Sequence, residues 1–200
     1  MALRLSGGYL KGRLLTAPPG FFYRPLSGRV KTTLFAVLGE RVCGASVLDL
    51  YAGAGVMGLE ALSRGAVRTT FVESDARLAA AVEENVRALG LSEAARVYAS
   101  DCLDYLTVTR PSAPYDIVFL DPPYGRGLVF RTVELLGLWP GFGVDSIGVA
   151  KTFKKEYFAG PPGLTLVSER LVGDDKLILF GRTRGTNAEP RPAEAGRVGM

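Results

Sequence analysis

Residues 47 to 58 read Val-Leu-Asp-Leu-Tyr-Ala-Gly-Ala-Gly-Val-Met-Gly, and this stretch decides the fold. Val47-Leu48-Asp49-Leu50 is a short apolar run of strand length, the glycine-rich segment after it must turn, and a helix follows near Val56 to Ser63. A buried strand feeding directly into a helix is the unit from which parallel sheets are built. Working outward, the unit recurs. Thr69 to Glu73 is the next strand, and Leu78, Val82, Val86 and Leu89 mark the apolar face of the helix behind it. Ala95 to Ala99, Ile117 to Leu120 and Ile147 to Val149 supply further strands, with helical stretches after Asp101 and around Phe130 to Leu136. Leu164 to Val167 and Lys176 to Phe180 read as an antiparallel finish. The expectation is an α/β core over residues 46–181, with a mostly parallel sheet covered on both faces.

Ahead of this core, residues 1–45 form a basic extension. Leu3 to Leu5 and Leu14-Leu15 can pair as a hairpin, with Gly7-Gly8 and Pro18-Pro19-Gly20 as turns. Ser27 reads as a helix N-cap, followed by Val30, Leu34, Val37 and Leu38 on one helical face. Arg4, Lys11, Arg13, Arg24, Arg29, Lys31 and Arg41 stand here against Glu40 alone, a charge of +6 in a chain whose total is +4. A basic arm on a slightly acidic body suits either a polyanion partner or a solvated, solubilising face. Behind the core, residues 182–200 turn to Arg, Gly, Pro, Glu and Ala with little to bury, the composition of a disordered tail.

Composition excludes several chemistries. There is no histidine in the 200 residues, so a His general base, a Ser-His triad and a His-ligated metal are ruled out. Cys43 and Cys102 have neither disulfide-framework nor metal spacing. No apolar run is long enough to span a bilayer and Met1 to Arg4 is not a signal peptide, so the expected site is the cytoplasm, without membrane or metal. What chemistry there is must come from carboxylates, backbone groups and a cofactor.

The cofactor is read from the strand ends. Gly53, Gly55 and Gly58 form a Gly-x-Gly-x-x-Gly turn, which with Tyr51 and Ala52 lets the backbone approach a ligand at a helix N-terminus. Asp49 sits beside that turn, where a carboxylate repels a pyrophosphate but suits an ammonium or sulfonium, as in S-adenosylmethionine. Glu73 ends the second strand, placed for two ribose hydroxyls. Asp101 follows the third, placed for an adenine amine with Cys102 alongside. Glu73 and Asp101 can each also serve as the N-cap of the next helix.

The fourth strand ends in Asp121-Pro122-Pro123-Tyr124. Asp121 offers a carboxylate acceptor, the prolines hold a turn whose carbonyls are further acceptors, and Tyr124 offers a face for a flat ring. Together they suit the exocyclic amine of a nucleobase, and amino methyltransferases use this arrangement.

With these residues in view the chain resembles the bacterial 16S rRNA guanine-N2 methyltransferases, the RsmD family, over residues from about 3 to 181. The resemblance rests on Val47 to Ala66, Phe71-Val72-Glu73, Asn85 and Asp121 to Tyr124. It also includes Gly7-Gly8, Lys11-Gly12-Arg13, Arg24-Pro25, Arg29-Val30 and Leu34-Phe35. It implies a Rossmann-like S-adenosylmethionine-dependent methyltransferase fold: a mostly parallel seven-stranded sheet with an antiparallel C-terminal strand, plus a small N-terminal hairpin and helix. It implies a monomer acting on 16S rRNA within the small subunit, with Asp121, Pro122, Pro123 and Tyr124 catalytic. Asp49, Tyr51, Ala52, Gly53, Gly55, Gly58, Glu73, Asp101 and Cys102 would hold the cofactor. Lys11, Arg13, Arg24, Arg29 and Lys31 would grip RNA. The chain departs from the family pattern at Gly28, where an acidic residue is usual, and at Thr32 and near Ala150-Lys151, where a Glu is usual. The rival readings are a DNA adenine-N6 or cytosine-N4 methylase, a NAD-binding oxidoreductase and a non-catalytic RNA-binding protein.

Overall fold

The computed structural model describes residues 3–20, 28–156, 158 and 160–183. Arg24, Ser27 and the segment from 184 onward lie outside the described residues.

A two-stranded hairpin opens the chain: β1 (Leu3–Arg4) pairs antiparallel with β2 (Leu14–Leu15). Helix α1 (Gly28–Leu38) follows. It buries Val30, Lys31, Leu34, Phe35 and Leu38, so the buried face is turned from the expected one: Val37 is exposed and Lys31 is inside.

The core begins with β3 (Ser46–Leu50), buried at every position. Then come α2 (Val56–Ser63), β4 (Arg68–Glu73), α3 (Ala76–Ala88), β5 (Ala95–Ala99), α4 (Cys102–Val108), β6 (Tyr115–Leu120) and α5 (Leu128–Leu138). The long β7 (Phe142–Phe153), β8 (Leu164–Val172) and β9 (Asp175–Arg182) complete the chain. The seven-stranded sheet has the order β5-β4-β3-β6-β7-β9-β8. Pairs from β5 through β7 are parallel, and β9 runs antiparallel to both β7 and β8. The expected strands are all present. β7 extends well beyond the expected Ile147 to Val149, and its first half, where Val144 and Asp145 are exposed between buried Phe142 and Ser146, carries no continuous apolar run.

Alternation along the strands splits the core in two. Val47, Phe71, Phe119, Val149 and Leu177 face the layer of α1, α2 and α3. Leu48, Leu50, Val72, Leu120, Ala150 and Ile178 face the layer of α4 and α5. Helix α2 is buried all round, between the sheet and the N-terminal segment. Glu60 on its outer side accepts from Ser6 N and Ser6 Oγ, both at 2.8 Å, and pairs with Arg64 at 2.8 Å and Lys31 at 3.9 Å. Gly8 lies so close to the end of α2 that a Cβ there would meet the Ser63 carbonyl oxygen at 1.7 Å. No helix among the described residues is long and apolar enough to cross a membrane.

The chain leaves β3 toward β4 and β5, then returns to place β6 on the other side. At such a reversal the connections diverge to opposite faces and leave a crevice at the carboxyl ends of the strands. Here the crevice lies between β3 and β6.

Candidate active site

Two turns meet at this crevice: the glycine turn after β3 and the Asp-Pro-Pro-Tyr turn after β6. Asp49 is two residues beyond Val47 and Asp121 two beyond Phe119, so both carboxylates point to the α2 side of the sheet.

The glycine turn is held by the chain's own carboxylates. Asp49 Oδ2 accepts from Gly58 N at 2.8 Å, and Glu73 Oε2 accepts from Gly53 N at 2.8 Å. Tyr51 N donates to Cys102 Sγ at 3.1 Å and Ala52 N to Val72 O at 3.1 Å. These amides are therefore committed inside the protein, where a pyrophosphate site would present them to the ligand. The carboxyl acceptors Glu73 and Asp101 fit a nucleoside cofactor with hydroxyl and amine donors, and the committed amides disfavour a dinucleotide. Gly58 serves packing: a Cβ there would lie 2.3 Å from the Phe71 ring. Tyr51 adopts a left-handed φ of 60°, a costly conformation for a residue with a side chain, and its hydroxyl is fastened to Thr132 Oγ1 at 2.6 Å. Burial pushes the Tyr51 hydroxyl up to about 12. Burial also drives the Asp49 carboxyl well above the usual range, with Gly58 N–H opposing and Asp121 and Glu73 reinforcing.

Glu73 is nearly buried, and its second oxygen, Oε1, accepts from Asp75 N at 2.9 Å. The N-cap of α3 is Asp75, not Glu73. Asp101 does cap α4, with Oδ1 accepting from Leu103 N at 2.8 Å and Asp104 N at 3.2 Å, and it is exposed at the rim. Cys102 is buried, and burial raises its thiol far above the ordinary value.

At the second turn, Asp121 Oδ1 lies 2.7 Å from Lys151 Nζ. That ammonium also stands 4.9 Å from the centroid of the Tyr124 ring, over one of its faces. Tyr124 OH donates to Asp175 Oδ1 at 2.7 Å, and its ring meets Phe153 edge-on. Burial raises the Asp121 carboxyl, and Lys151 works against it. Burial pulls Lys151 down, but Asp121 and Tyr124 outweigh it and hold the ammonium above its usual range. Pro122, Pro123 and Tyr124 also line a cavity of about 380 Å³ with Leu128, Phe130 and Thr152.

Sequence reasoning did not find Lys151, Asp175 or Thr132. The one signal available was the departure at Ala150-Lys151 from the resembled pattern. Asn85 also acquires a role. It is buried, its Oδ1 accepts from Thr16 N and Oγ1, and its Nδ2 donates to Thr16 O and to Ala54 O in the glycine turn.

The basic residues are dispersed. Lys11, Arg13 and Arg29 are exposed, with Arg13 reaching the Ala88 carbonyl at 3.3 Å. Lys31 corrects the expectation: it is 5% exposed, donates to Arg4 O at 2.6 Å and faces Glu60, so it fastens the extension and is not open to a phosphate. Arg29 lines a groove of about 670 Å³ with Thr32, Thr33, Arg170, Leu171 and Gly173. Among the described residues no cluster could hold a metal ion.

A parallel sheet reversed at its last strands, with a crevice of acidic strand ends beside an Asp-Pro-Pro-Tyr turn, has the architecture of a Rossmann-like methyltransferase. Comparison with known proteins narrows the class. A family model described as Conserved hypothetical protein 95 matches residues 3–181, and the chain belongs to that family. The protein named Ribosomal RNA small subunit methyltransferase D of Escherichia coli (strain K12) is 39% identical over 134 residues, 67% of this chain and 66% of that protein. The protein of the same name in Buchnera aphidicola subsp. Acyrthosiphon pisum is 31% identical over 176 residues, 88% of this chain and 91% of its own. A solved Escherichia coli structure, yhhF, placed among methyltransferases by its description, has a TM-score of 0.79 at 32% identity and covers 91% of this chain and 98% of that one. The Haemophilus influenzae protein HI0767 gives a TM-score of 0.78 at 31% identity, covering 92% of this chain and 100% of that one.

Proposed function

We propose that this chain transfers a methyl group from S-adenosylmethionine to the exocyclic N2 amine of a guanine in small-subunit ribosomal RNA. The observation that carries the reading is Asp121, held by the sheet at the switch point on the same face as Asp49. The rRNA target draws on the relatives' names and on the exposed Lys11, Arg13 and Arg29.

Glu73 and Asp101 Oδ2 would accept from the cofactor's hydroxyl and amine donors, and Asp49 secures the turn beneath it by accepting from Gly58 N. Bound there, S-adenosylmethionine supplies an electrophilic methyl group. The amine of guanine is a weak nucleophile because its lone pair is shared with the ring. Asp121, with the Pro122 carbonyl, accepts its N–H groups, which returns the lone pair to nitrogen and aims it. Tyr124 fixes the plane of the base. Ordering the reactants in this way supplies up to roughly 7–11 kcal/mol in favourable intramolecular cases. Asp121 also lies where the proton released by the methylated nitrogen can be taken up or passed to water. The base must be unpaired to reach this turn, which is cheapest in a loop.

The test is methyl transfer from labelled S-adenosylmethionine to unmodified 30S subunits, naked small-subunit rRNA and duplex DNA, with Asp121→Ala as control. The expected result is N2-methylguanine in rRNA, lost in the variant, with cofactor affinity changed by less than about threefold. Label in DNA alone would replace this reading with that of a DNA amino methylase. Loss of cofactor binding in Asp121→Ala would remove Asp121 from its role at the amine.

A further inference from the structure

We propose that Lys151 is a specificity-determining residue, donating to the ring nitrogen beside the target amine so that amine and ring nitrogen are read as a pair. The inference rests on the amine-methylating reading above and deepens it.

Lys151 follows Ala150, which is the register partner of Leu120, so it stands beside Asp121 on the neighbouring strand. Its ammonium touches Asp121 Oδ1 at 2.7 Å and overhangs the Tyr124 ring at 4.9 Å, which are the two features assigned to the base. Tyr124 is itself tied down by Asp175 on β9. The Lys151 and Asp121 side chains are only 7% and 13% exposed, so an amine that reaches the carboxylate arrives next to the ammonium. An ammonium has three N–H donors and no acceptor. One is committed to Asp121 and a second to Tyr124, which leaves a third for the base.

The edge that fits must therefore present a donor to Asp121 and an acceptor to Lys151. In guanine the N2 amine is flanked by N3, which carries a lone pair, and by N1, which carries a hydrogen. Presenting N1–H would set donor against donor in a nearly closed site and leave it unpaired. Presenting N3 completes the pair. Guanine thus enters by its N2–N3 edge, with N1–H turned away from Lys151.

The experiment uses 30S subunits reconstituted from RNA carrying either guanosine or 3-deazaguanosine at the methylated position, which keeps the amine and N1–H but replaces N3 by C–H. Wild-type kcat/KM is expected to fall about ten- to hundredfold on the deaza RNA, the size of one lost charge-assisted hydrogen bond. Lys151→Met should be slow on both RNAs and discriminate between them by less than about threefold. Equal wild-type rates on the two RNAs would overturn the assignment, and that comparison needs no variant to fold. A full penalty retained by Lys151→Met would overturn it too, since N3 would then be read elsewhere. Absence of N2-methylguanine even with guanosine RNA and wild-type protein would sink the functional reading itself, and this inference with it.

Discussion

Asp121 is pulled in two directions. Burial favours its neutral form, while Lys151 at 2.7 Å favours the carboxylate. Accepting the amine N–H while still paired with Lys151 needs the ionised form, so protonation as pH falls through the raised pKa removes activity. The acid limb of kcat/KM is therefore expected above the ordinary carboxylate value of about 4. Asp175 adds to the rise at Asp121, and Asp121 in turn raises Asp49. Replacing Lys151 by Met removes the opposing charge, so the limb should move to still higher pH. A pH–rate profile of the two proteins checks this; an unmoved limb would mean that another group governs it. Gly58 offers a second test at this scale. A Cβ there would overlap Phe71 at 2.3 Å and Thr69 at 2.6 Å, side chains fixed in the sheet. Gly58→Ala should destabilise by about 1–3 kcal/mol, read from denaturant unfolding.

Among the elements, the N-terminal segment is built into the core through α2 and α3. Ser6, Gly7, Tyr9 and Leu10 are bonded to Glu60 and Ser63 of α2, and Thr16 is bonded to Asn85 of α3. Asn85 spans from that segment to the Ala54 carbonyl, so the extension and the cofactor turn share one side chain. Asn85→Ala would strand the Thr16 and Ala54 groups, at a cost of about 1–3 kcal/mol for each buried group left unpaired. It is expected to lower the midpoint of thermal unfolding and to weaken S-adenosylmethionine binding severalfold in calorimetry. Lowered stability with unchanged cofactor affinity would confine Asn85 to packing. The hairpin and α1 were legible from the sequence because turns and periodicity are local. The inward rotation that buries Lys31 was not, since it depends on Glu60 on a different helix.

Across the whole molecule, charge is divided between a basic first quarter and a slightly acidic remainder. Lys11, Arg13 and Arg29 are exposed cations of that arm, with Arg170 sharing a groove with Arg29. Replacing Lys11, Arg13 and Arg29 by Ala should reduce the slope of log Kobs for RNA against log salt by about two, at roughly 0.7–0.9 per phosphate contact. An unchanged slope would leave the arm only solubilising. By itself the sequence determined the alternation of strands and helices, the glycine turn, the acidic strand ends and the Asp121 to Tyr124 turn. Each of these is written in contiguous residues whose spacing follows the period of one element or turn. Only the tertiary structure decided that Lys151 and Asp175 close on Asp121 and Tyr124, that Glu73 and Asp49 hold Gly53 and Gly58, and that Asn85 joins the extension to the turn. Such neighbours are set by strand order and by which helix faces which side of the sheet, and no local pattern in the chain encodes either.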